Sequence, residues 1–187
     1  MIHLEPVAEP DRGLILDWRN QPDVARWMYT NHSISAAEHD AWFDGMVASP
    51  LHHYWILSWR SEPAGVVHLI RDPQEYRAEW GIYVASNRVR GTGAASGAAF
   101  LSLERAFGDL GVGRVTCEAL SDNSRALALY ERVGFRREGY LRGHVTRGTE
   151  VRDVVCLGLM EAEWATLRVG LRAGLVDRGV LSPEVGS

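Results

Sequence analysis

The segment Arg88-Val89-Arg90-Gly91-Thr92-Gly93 has the residue types that bind a phosphate group. It lies between a predicted strand and a predicted helix, where unpaired N–H groups and the positive end of the helix dipole meet. Glycines at 91 and 93 lack the Cβ atoms that would keep phosphate oxygens off the backbone, and the two arginines offer charge-assisted hydrogen bonds. The spacing is neither GxGxxG nor GxxxxGK(S/T). A tight turn without a ligand is the alternative for this segment alone.

A second segment pairs a helix cap with a tyrosine. Asn123-Ser124-Arg125-Ala126 is typical of a capped helix start, and Gly134-Phe135 is typical of a glycine turn into a strand. Tyr130 lies near the last turn of this helix. The two segments are about 30 residues apart, counted directly along the printed sequence.

The elements that must position these segments follow from hydrophobic periodicity. Helical spacing predicts two short helices before residue 30, a third that starts at the capping box Ser35 and Glu38 and ends near residue 49, and longer ones over 91–107, 124–133 and 161–175. Runs rich in β-branched and aromatic residues predict strands over 2–4, 54–59, 64–70, 78–84, 114–120, 135–141 and 151–159. We therefore predict an α+β domain, an α/β sandwich around one mixed sheet.

Length and composition limit the protein class. The 187 residues, 46% of them apolar, suit one domain over 1–175, with a frayed tail over 176–187. A net charge of -4 argues against a nucleic-acid or anionic-membrane surface. Without a signal-like start or a long apolar run, we expect a cytoplasmic protein. Cys117 and Cys156 lack CxxC spacing, so we expect reduced cysteines and no metal site.

Together, the patterns RxxGxG and NxxAxxxYxxxGF resemble the GNAT superfamily of N-acetyltransferases, over residues 2 to 160. The resemblance implies a mostly antiparallel sheet of about seven strands, with splayed central strands that form an acetyl-CoA cleft. It also implies that Tyr130 protonates the leaving thiolate, with a core aromatic as the alternative. The implied cofactor contacts are the backbone of Ile82, Tyr83 and Val84, the loop residues Arg88, Val89, Arg90, Gly91, Thr92, Gly93 and Ala94, and Asn123 with Ala126.

A closer resemblance lies outside the cofactor motifs. It is carried by Trp18-Arg19-Asn20, Arg26-Trp27-Met28-Tyr29, Ile34-Ser35 with Glu38-His39 and Trp42, Ala78-Glu79-Trp80-Gly81-Ile82-Tyr83, Arg142-Gly143-His144 and Asp153-Val154-Val155. These segments are similar to the bacterial branch that acetylates the 4-amino group of UDP-4-amino-4,6-dideoxy-N-acetyl-β-L-altrosamine on the way to pseudaminic acid. The implied reaction is direct transfer from acetyl-CoA to a nucleotide-sugar amine, without a metal.

Two residues are candidates for the base that this reaction needs. Glu118 shares a strand face with Thr116, while Cys117 lies on the apolar face, which disfavours a Cys117 acyl intermediate. We expect Glu118 to act through water, with a surface ion pair as the alternative. His68 is the rival, because its ordinary pKa is about 6.5, although the resembling enzymes tend to carry a small hydroxyl there.

A UDP-sugar carries a diphosphate and a flat uracil, so its site should combine cations with aromatic rings. The candidates are Arg19, Arg26, His39 and Arg71 for charge, with Asn20 beside them, and Trp27, Tyr29, Trp42 and Trp80 for the walls. The rival acceptors are a protein N-terminus, an antibiotic or a polyamine. A sensor that binds acetyl-CoA without chemistry is the alternative outside enzymes. The sequence leaves the oligomeric state open, and a homodimer is among the options.

Overall fold

The computed structural model describes residues 1–30, 32–74 and 76–183, and within them seven strands form one sheet. The strands are β1 (Ile2–Pro6), β2 (His52–Trp59), β3 (Glu62–Arg71), β4 (Arg77–Val84), β5 (Arg114–Leu120), β6 (Arg136–Arg147) and β7 (Glu150–Met160). Their order across the sheet is β1-β2-β3-β4-β5-β7-β6. Neighbouring strands are antiparallel except β4 and β5, which are parallel. The predicted α+β architecture with one mixed sheet is confirmed.

The central strands β4 and β5 diverge along their length. Residues 77–79 of β4 pair with residues 114–116 of β5, and the pairing ends there. Beyond that point β4 continues to Val84 beside β3, and β5 continues to Leu120 beside β7. The backbone edge of residues 80–84 therefore borders an opening instead of a neighbouring strand. This opening is the splayed cleft that the family resemblance implies.

Within the described ranges, six helices cover the two faces of the sheet. They are α1 (Arg12–Asn20), α2 (Pro22–Ala25), α3 (Ala36–Ala48), α4 (Ala94–Glu104), α5 (Ser124–Arg132) and α6 (Glu161–Asp177). The larger core lies under α4, α5 and α6, where Phe100, Leu127 and Trp164 pack on the sheet. The second core lies under α1, α2 and α3, where Ile15 and Phe43 pack on Ile56 and Val66 of the sheet.

Local sequence signals explain where two helices begin. The hydroxyl of Ser35 accepts a hydrogen bond from the N–H of Glu38 at 3.2 Å, as the capping pattern before α3 predicts. The side-chain oxygen of Asn123 accepts from the N–H of Ala126 at 3.2 Å and caps α5 in the same way. Each bond satisfies an N–H group that has no partner within its helix.

Among the boundaries that differ from those predicted, the ends of α4 and the end of β6 show the larger differences. α4 begins at Ala94, not at residue 91, because Gly91 and Gly93 have left-handed backbone conformations, and it passes into a π-helical turn over Arg105–Asp109. β6 extends to Arg147, past the predicted end at 141, because it forms a long hairpin with β7.

The segment after α6 was predicted as a frayed tail, and this is wrong for its first part. Val180 and Leu181 are buried, and the carbonyl of Val180 accepts a hydrogen bond from the N–H of Ile2 at 3.0 Å. Residues 184–187 lie outside the described residues. The C-terminal segment thus packs against β1 and the beginning of α4. None of the helices in the described part of the chain is long and apolar enough to cross a membrane.

Candidate active site

The loop before α4 has the backbone conformation of an anion site. Gly91 and Gly93 have φ angles of 79° and 88°, a region that favours glycine. The Thr92 hydroxyl fixes the loop, since it donates to the carbonyl of Val89 at 2.8 Å and accepts from the N–H of Ala94 at 3.2 Å. Among the described residues, the N–H groups of both glycines have no protein acceptor. These free donors at a helix start fit a phosphate.

The two arginines of this loop have different environments. Arg90 donates a 2.9 Å hydrogen bond to the carboxylate of Asp23 on α2, and the guanidinium lowers the pKa of Asp23. Arg88 is exposed beside it. Asp23 was not among the predicted site residues, because its position beside the loop depends on how α2 packs. No local sequence pattern indicates that packing.

A polar cleft of about 250 Å³ separates this loop from the beginning of α5. Its lining combines three arginines with one carboxylate and the capping end of α5, and consists of Asp23, Arg26, Trp27, Arg90, Asn123, Ser124 and Arg125. Trp27 forms one wall, with the guanidinium of Arg26 4.7 Å from its ring centroid. The excess of positive charge and the glycine loop at its border suit the phosphates of CoA.

Tyr130 is buried on the inner face of α5. Its ring meets Trp80 edge-on at 5.2 Å and lies 6.1 Å from the ring of Phe135. Burial raises the pKa of the phenol, and the nearby Cys117 thiol raises it further. The hydroxyl is therefore protonated at neutral pH and can donate its proton to a strong base such as a thiolate. The ring packs in the core, so the predicted acid role concerns the hydroxyl alone.

The cofactor edge of β4 follows from the sheet geometry. Ile82, Tyr83 and Val84 lie on the part of β4 that has left β5, so their β5-facing backbone groups have no strand partner. The Tyr83 side chain packs with the second core, and its hydroxyl is buried without a partner among the described residues. Backbone contacts to an extended ligand arm are thus available here.

Glu118 lies on the face of β5 that α1, α2 and α3 cover. Its Oε2 accepts a 2.7 Å hydrogen bond from the hydroxyl of Tyr29, and the thiol of Cys156 donates to its Oε1 at 3.6 Å. The alternative expected for Glu118 was an ion pair with an arginine, and neither of these two hydrogen bonds is of that kind. Cys117, the next residue along the strand, is buried on the opposite face, as the alternation of β5 predicts.

A cleft of about 420 Å³ opens beside Glu118. It contains four carboxylates and three guanidinium groups, and its lining consists of Ile70, Arg71, Asp72, Arg77, Glu79, Arg114, Thr116, Cys117, Glu118, Glu138, Cys156 and Leu157. Two of the carboxylates are already paired, since Arg114 binds Glu138 and Arg77 lies 3.7 Å from Asp72.

His68 lies on the same face of the sheet, between two neighbours on adjacent strands. Its imidazole stacks on Tyr54 of β2 with centroids 4.9 Å apart, and it covers Gly81 of β4 so closely that a Cβ there would lie 2.4 Å from its Cε1. Burial, together with the charges of Arg19 and His52, lowers the pKa of His68 to about 4. The imidazole is therefore neutral at physiological pH and a weak base.

An aromatic row continues from His68 toward α3. Tyr54 stacks on His68 and meets Trp42 of α3 edge-on at 5.6 Å. Burial, together with the charge of Glu79, raises the pKa of Tyr54 to about 12. The positive charge of Arg19 acts on the tyrosine in the opposite direction. Trp42, Tyr54 and His68 with Arg19 thus form a cationic aromatic wall.

Two predicted substrate contacts, Trp80 and His39, are wrong because both side chains are buried, and a third, Asn20, makes hydrogen bonds within the fold. Trp80 is buried on the opposite face of the sheet, where its indole N–H donates to Ser102 at 2.8 Å. His39 is buried against the first turn of α1, with its Nε2 2.8 Å from the carbonyl of Arg12. Asn20 binds the N–H and carbonyl of Ile34 at 2.8 and 2.9 Å and so joins α1 to the segment before α3. These three side chains stabilise the fold.

The other predicted contacts are divided among the two clefts and the aromatic wall. Tyr29 and Arg71 belong to the Glu118 side, Arg19 and Trp42 to the aromatic wall, and Trp27 with Arg26 to the phosphate side. Sequence reasoning missed Tyr54. The signal for it was present, because residues paired across a hairpin share a face, and Tyr54 is opposite His68.

Comparisons with known proteins agree with this geometry. Residues 2–136 match the family model described as the acetyltransferase (GNAT) domain. The spermidine N-acetyltransferase from Vibrio cholerae, solved with CoA and spermine, has 19% identity and a TM-score of 0.80, over 88% of this chain and 98% of that one. A protein from T. thermophilus assigned as an acetyltransferase has 26% identity and a TM-score of 0.75, over 93% of each chain.

A third similar structure is assigned as a phosphinothricin N-acetyltransferase, with 19% identity and a TM-score of 0.75, over 86% of this chain and 99% of that one. Identities below 25% establish the common fold and leave the acceptor open. The family model covers most of the chain, including the glycine loop and Tyr130. The protein therefore belongs to the GNAT family and is an acetyl-CoA-dependent N-acetyltransferase.

Proposed function

We propose that the protein transfers the acetyl group of acetyl-CoA to the 4-amino group of a UDP-linked 4-amino-4,6-dideoxy sugar, as in pseudaminic acid synthesis. The observation that carries this proposal is the wall formed by Trp42, Tyr54, His68 and Arg19. Rings and a cation on one wall suit a uracil, a sugar face and a diphosphate. The resemblance of the Trp18-Arg19-Asn20 to Trp42 region supports the same acceptor.

The cofactor fits the residues present. The free N–H groups of Gly91 and Gly93, with Arg88 and Arg90, would hold the pyrophosphate, and Asn123 with Ala126 would contact the arm. The unpaired backbone of residues 82–84 would hold the pantetheine chain and an N–H there would stabilise the oxyanion. Acetyl-CoA supplies the activated thioester. The cleft between β4 and β5 supports this placement.

The proposed chemistry uses two side chains for two protons. Glu118, directly or through one water, takes the proton that the amine loses as its nitrogen bonds to the acetyl carbon. Tyr130 gives its proton to the sulfur as the carbon–sulfur bond breaks, and solvent then restores the phenol. The products are the amide and free CoA. His68, with its pKa lowered to about 4, serves better as a neutral wall than as the base.

A second candidate acceptor is another small amine. The fold shared with a spermidine acetyltransferase makes a polyamine the natural comparison. A polycation needs a surplus of unpaired carboxylates, whereas the cleft beside Glu118 balances four carboxylates with three guanidinium groups. This balance favours an acceptor that is not a polycation.

The test is a steady-state assay of CoA thiol release. Acetyl-CoA is supplied with the UDP-4-amino sugar, with spermidine, with aminoglycosides and with peptides that mimic ribosomal protein N-termini. We expect kcat/KM for the UDP-sugar to exceed that of the other amines at least about 100-fold, which is roughly 2.7 kcal/mol of transition-state binding. Turnover with peptides or spermidine alone would reject the sugar acceptor. Tight acetyl-CoA binding without turnover of any amine would favour the sensor.

A further inference from the structure

The hydrogen bond between Tyr29 and Glu118 joins two distant parts of the chain. Tyr29 follows α2 and is 43% exposed, and its hydroxyl donates to Oε2 of Glu118 at 2.7 Å across 89 residues of sequence. Cys156 of β7 donates to the other oxygen at 3.6 Å. Both oxygens of this carboxylate therefore have a side-chain donor.

Tyr29 is held in place independently of Glu118. The guanidinium of Arg147 on β6 donates to the carbonyl of Arg26 at 2.6 Å and to that of Ala25 at 3.2 Å. The Tyr29 ring also meets the ring of His144 edge-on at 6.4 Å. Because the backbone just before Tyr29 is bound to β6, the hydroxyl has a fixed position toward which Glu118 is oriented.

We infer that Tyr29 is a positioning residue, whose hydroxyl orients the Glu118 carboxylate so that Glu118 can accept a proton from the acceptor amine. This inference rests on the proposed function, in which Glu118 is the base. A donor to a carboxylate stabilises the charged form and thus lowers the pH at which the base is lost. Burial and Glu118 itself raise the pKa of Tyr29, so the phenol keeps the proton that it donates.

Other charged and titratable groups also face Glu118, and they differ in sign. They are Cys156 on β7, Glu138 on β6, Arg114 on β5, Glu79 and Arg77 on β4, Arg71 and Asp72 at the end of β3, and His144 near the Tyr29 ring, while Cys117 lies on the opposite face of β5. The short hydrogen bond to the carboxylate comes from Tyr29, at 2.7 Å, whereas the bond from Cys156 is longer. The removal of its hydroxyl should therefore take away the short hydrogen bond that orients Glu118, while the surrounding charges remain.

The test compares Tyr29→Phe with the unmodified protein in pH profiles of kcat/KM, with acetyl-CoA and the amine that gives turnover in the acceptor assay. The variant keeps the ring and removes one hydrogen bond to the carboxylate. We expect the midpoint of the acidic limb to rise by about 0.5 to 1 pH unit and kcat/KM below that midpoint to fall about 3- to 10-fold. The plateau at high pH should change less.

A matched control comes from β6. Tyr140 donates to Asp153 at 2.6 Å and is also exposed, so Tyr140→Phe removes a bond of the same kind away from the proposed base. We expect its acidic limb to stay in place. A double variant tests whether Tyr29 acts through Glu118. If it does, Tyr29→Phe should add little to the loss of kcat/KM that Glu118→Gln causes.

Two results would overturn the inference: an acidic limb that does not move in Tyr29→Phe, or the same fold loss of kcat/KM in the presence and absence of Glu118→Gln. Tyr29 would then only line the site. If Tyr29→Phe lowers the melting temperature by more than a few degrees, Tyr29→Leu is read in the same way. Turnover by the unmodified protein distinguishes a failure of this inference from a failure of the proposed function. If the unmodified protein turns over none of the amines, the proposed function is rejected instead.

Discussion

Arg90 of the glycine loop and Asp23 of α2 form an ion pair with a separation of 2.9 Å between Nη2 and Oδ2. The loop that fits a pyrophosphate thus already has an anionic partner within the protein. A bound phosphate and the Asp23 carboxylate would compete for the same guanidinium. The chain after α2 leads to Tyr29, which donates a hydrogen bond to Glu118. The ion pair therefore connects the phosphate side of the molecule to the acceptor side.

Asp23→Asn should strengthen CoA binding. The variant removes the competing charge, and we expect the dissociation constant to fall about two- to threefold at low salt, since exposed ion pairs are weak. Isothermal titration calorimetry with CoA measures this directly. Asp44→Asn is the control, because Asp44 pairs with Arg12 away from the loop. An unchanged or weaker affinity would mean that Arg90 does not contact the phosphates.

Tyr130→Phe should separate chemistry from binding. Phenylalanine preserves the packing against Trp80 and Phe135, so we expect an unchanged melting temperature and an acetyl-CoA affinity within about twofold. Without the hydroxyl proton, kcat should fall roughly 100-fold or more. Single-turnover kinetics under saturating acetyl-CoA measures the step. A normal kcat would remove Tyr130 from the acid role.

The sequence predicts the elements near these residues better than their partners. Hydrophobic periodicity and the capping residues identify α3 and α5, and the glycine pair marks the loop before α4. Each of these signals is local, because a cap or a left-handed turn depends on a few adjacent residues. The pair between Arg90 and Asp23 joins residues 67 positions apart, and only the packing of α2 brings them together.

Trp80 shows a different limit. Its residue type favoured a substrate wall, whereas its strand position decides its burial. Ala78 and Trp80 alternate with Glu79 and Gly81 along β4, so the tryptophan lies on the face opposite Glu79. Strict use of this alternation would have placed Trp80 in the core, as it would have placed His68 beside Tyr54. The residue type therefore gave the wrong placement for Trp80, whereas the alternation of side chains along β4 predicts the correct one.

The stability of the protein should depend on His68 in acid. Its pKa in the folded state is about 4, below the ordinary value of 6.5, so the unfolded chain binds more protons between these values. Stability from this group is complete above about pH 6.5 and is lost as the pH falls toward 4. We expect the loss from this source to reach about 2 kcal/mol, less than the full shift, because His68 is not completely buried.

Urea unfolding at pH 7 and at pH 4.5 tests this expectation. The decrease in unfolding free energy between the two pH values should be smaller in His68→Ser than in the unmodified protein. His3→Ser is the control, because His3 is an exposed residue of β1. If His68→Ser shows the same decrease as the unmodified protein, the imidazole is not held neutral by its surroundings.

Gly81→Ala should be strongly destabilising while His68 is present. The new Cβ would lie 2.4 Å from the imidazole Cε1, so the ring must leave its stack on Tyr54. We expect a loss of about 1 to 3 kcal/mol in urea unfolding. The double variant with His68→Ser should recover most of this loss, because a serine leaves the space free. A single variant as stable as the unmodified protein would contradict this packing.

The contact between His68 and Gly81 also bears on how this family can vary. A smaller side chain at position 68 would leave space for a larger residue at position 81 on the neighbouring strand. Because an imidazole at 68 packs directly on Gly81, the order of substitution matters: histidine is accommodated best when glycine is already present, and replacing the glycine afterwards costs stability. Among descendants of this chain, the two positions should change as a pair, because a change at position 81 is tolerated once the imidazole at position 68 has been replaced.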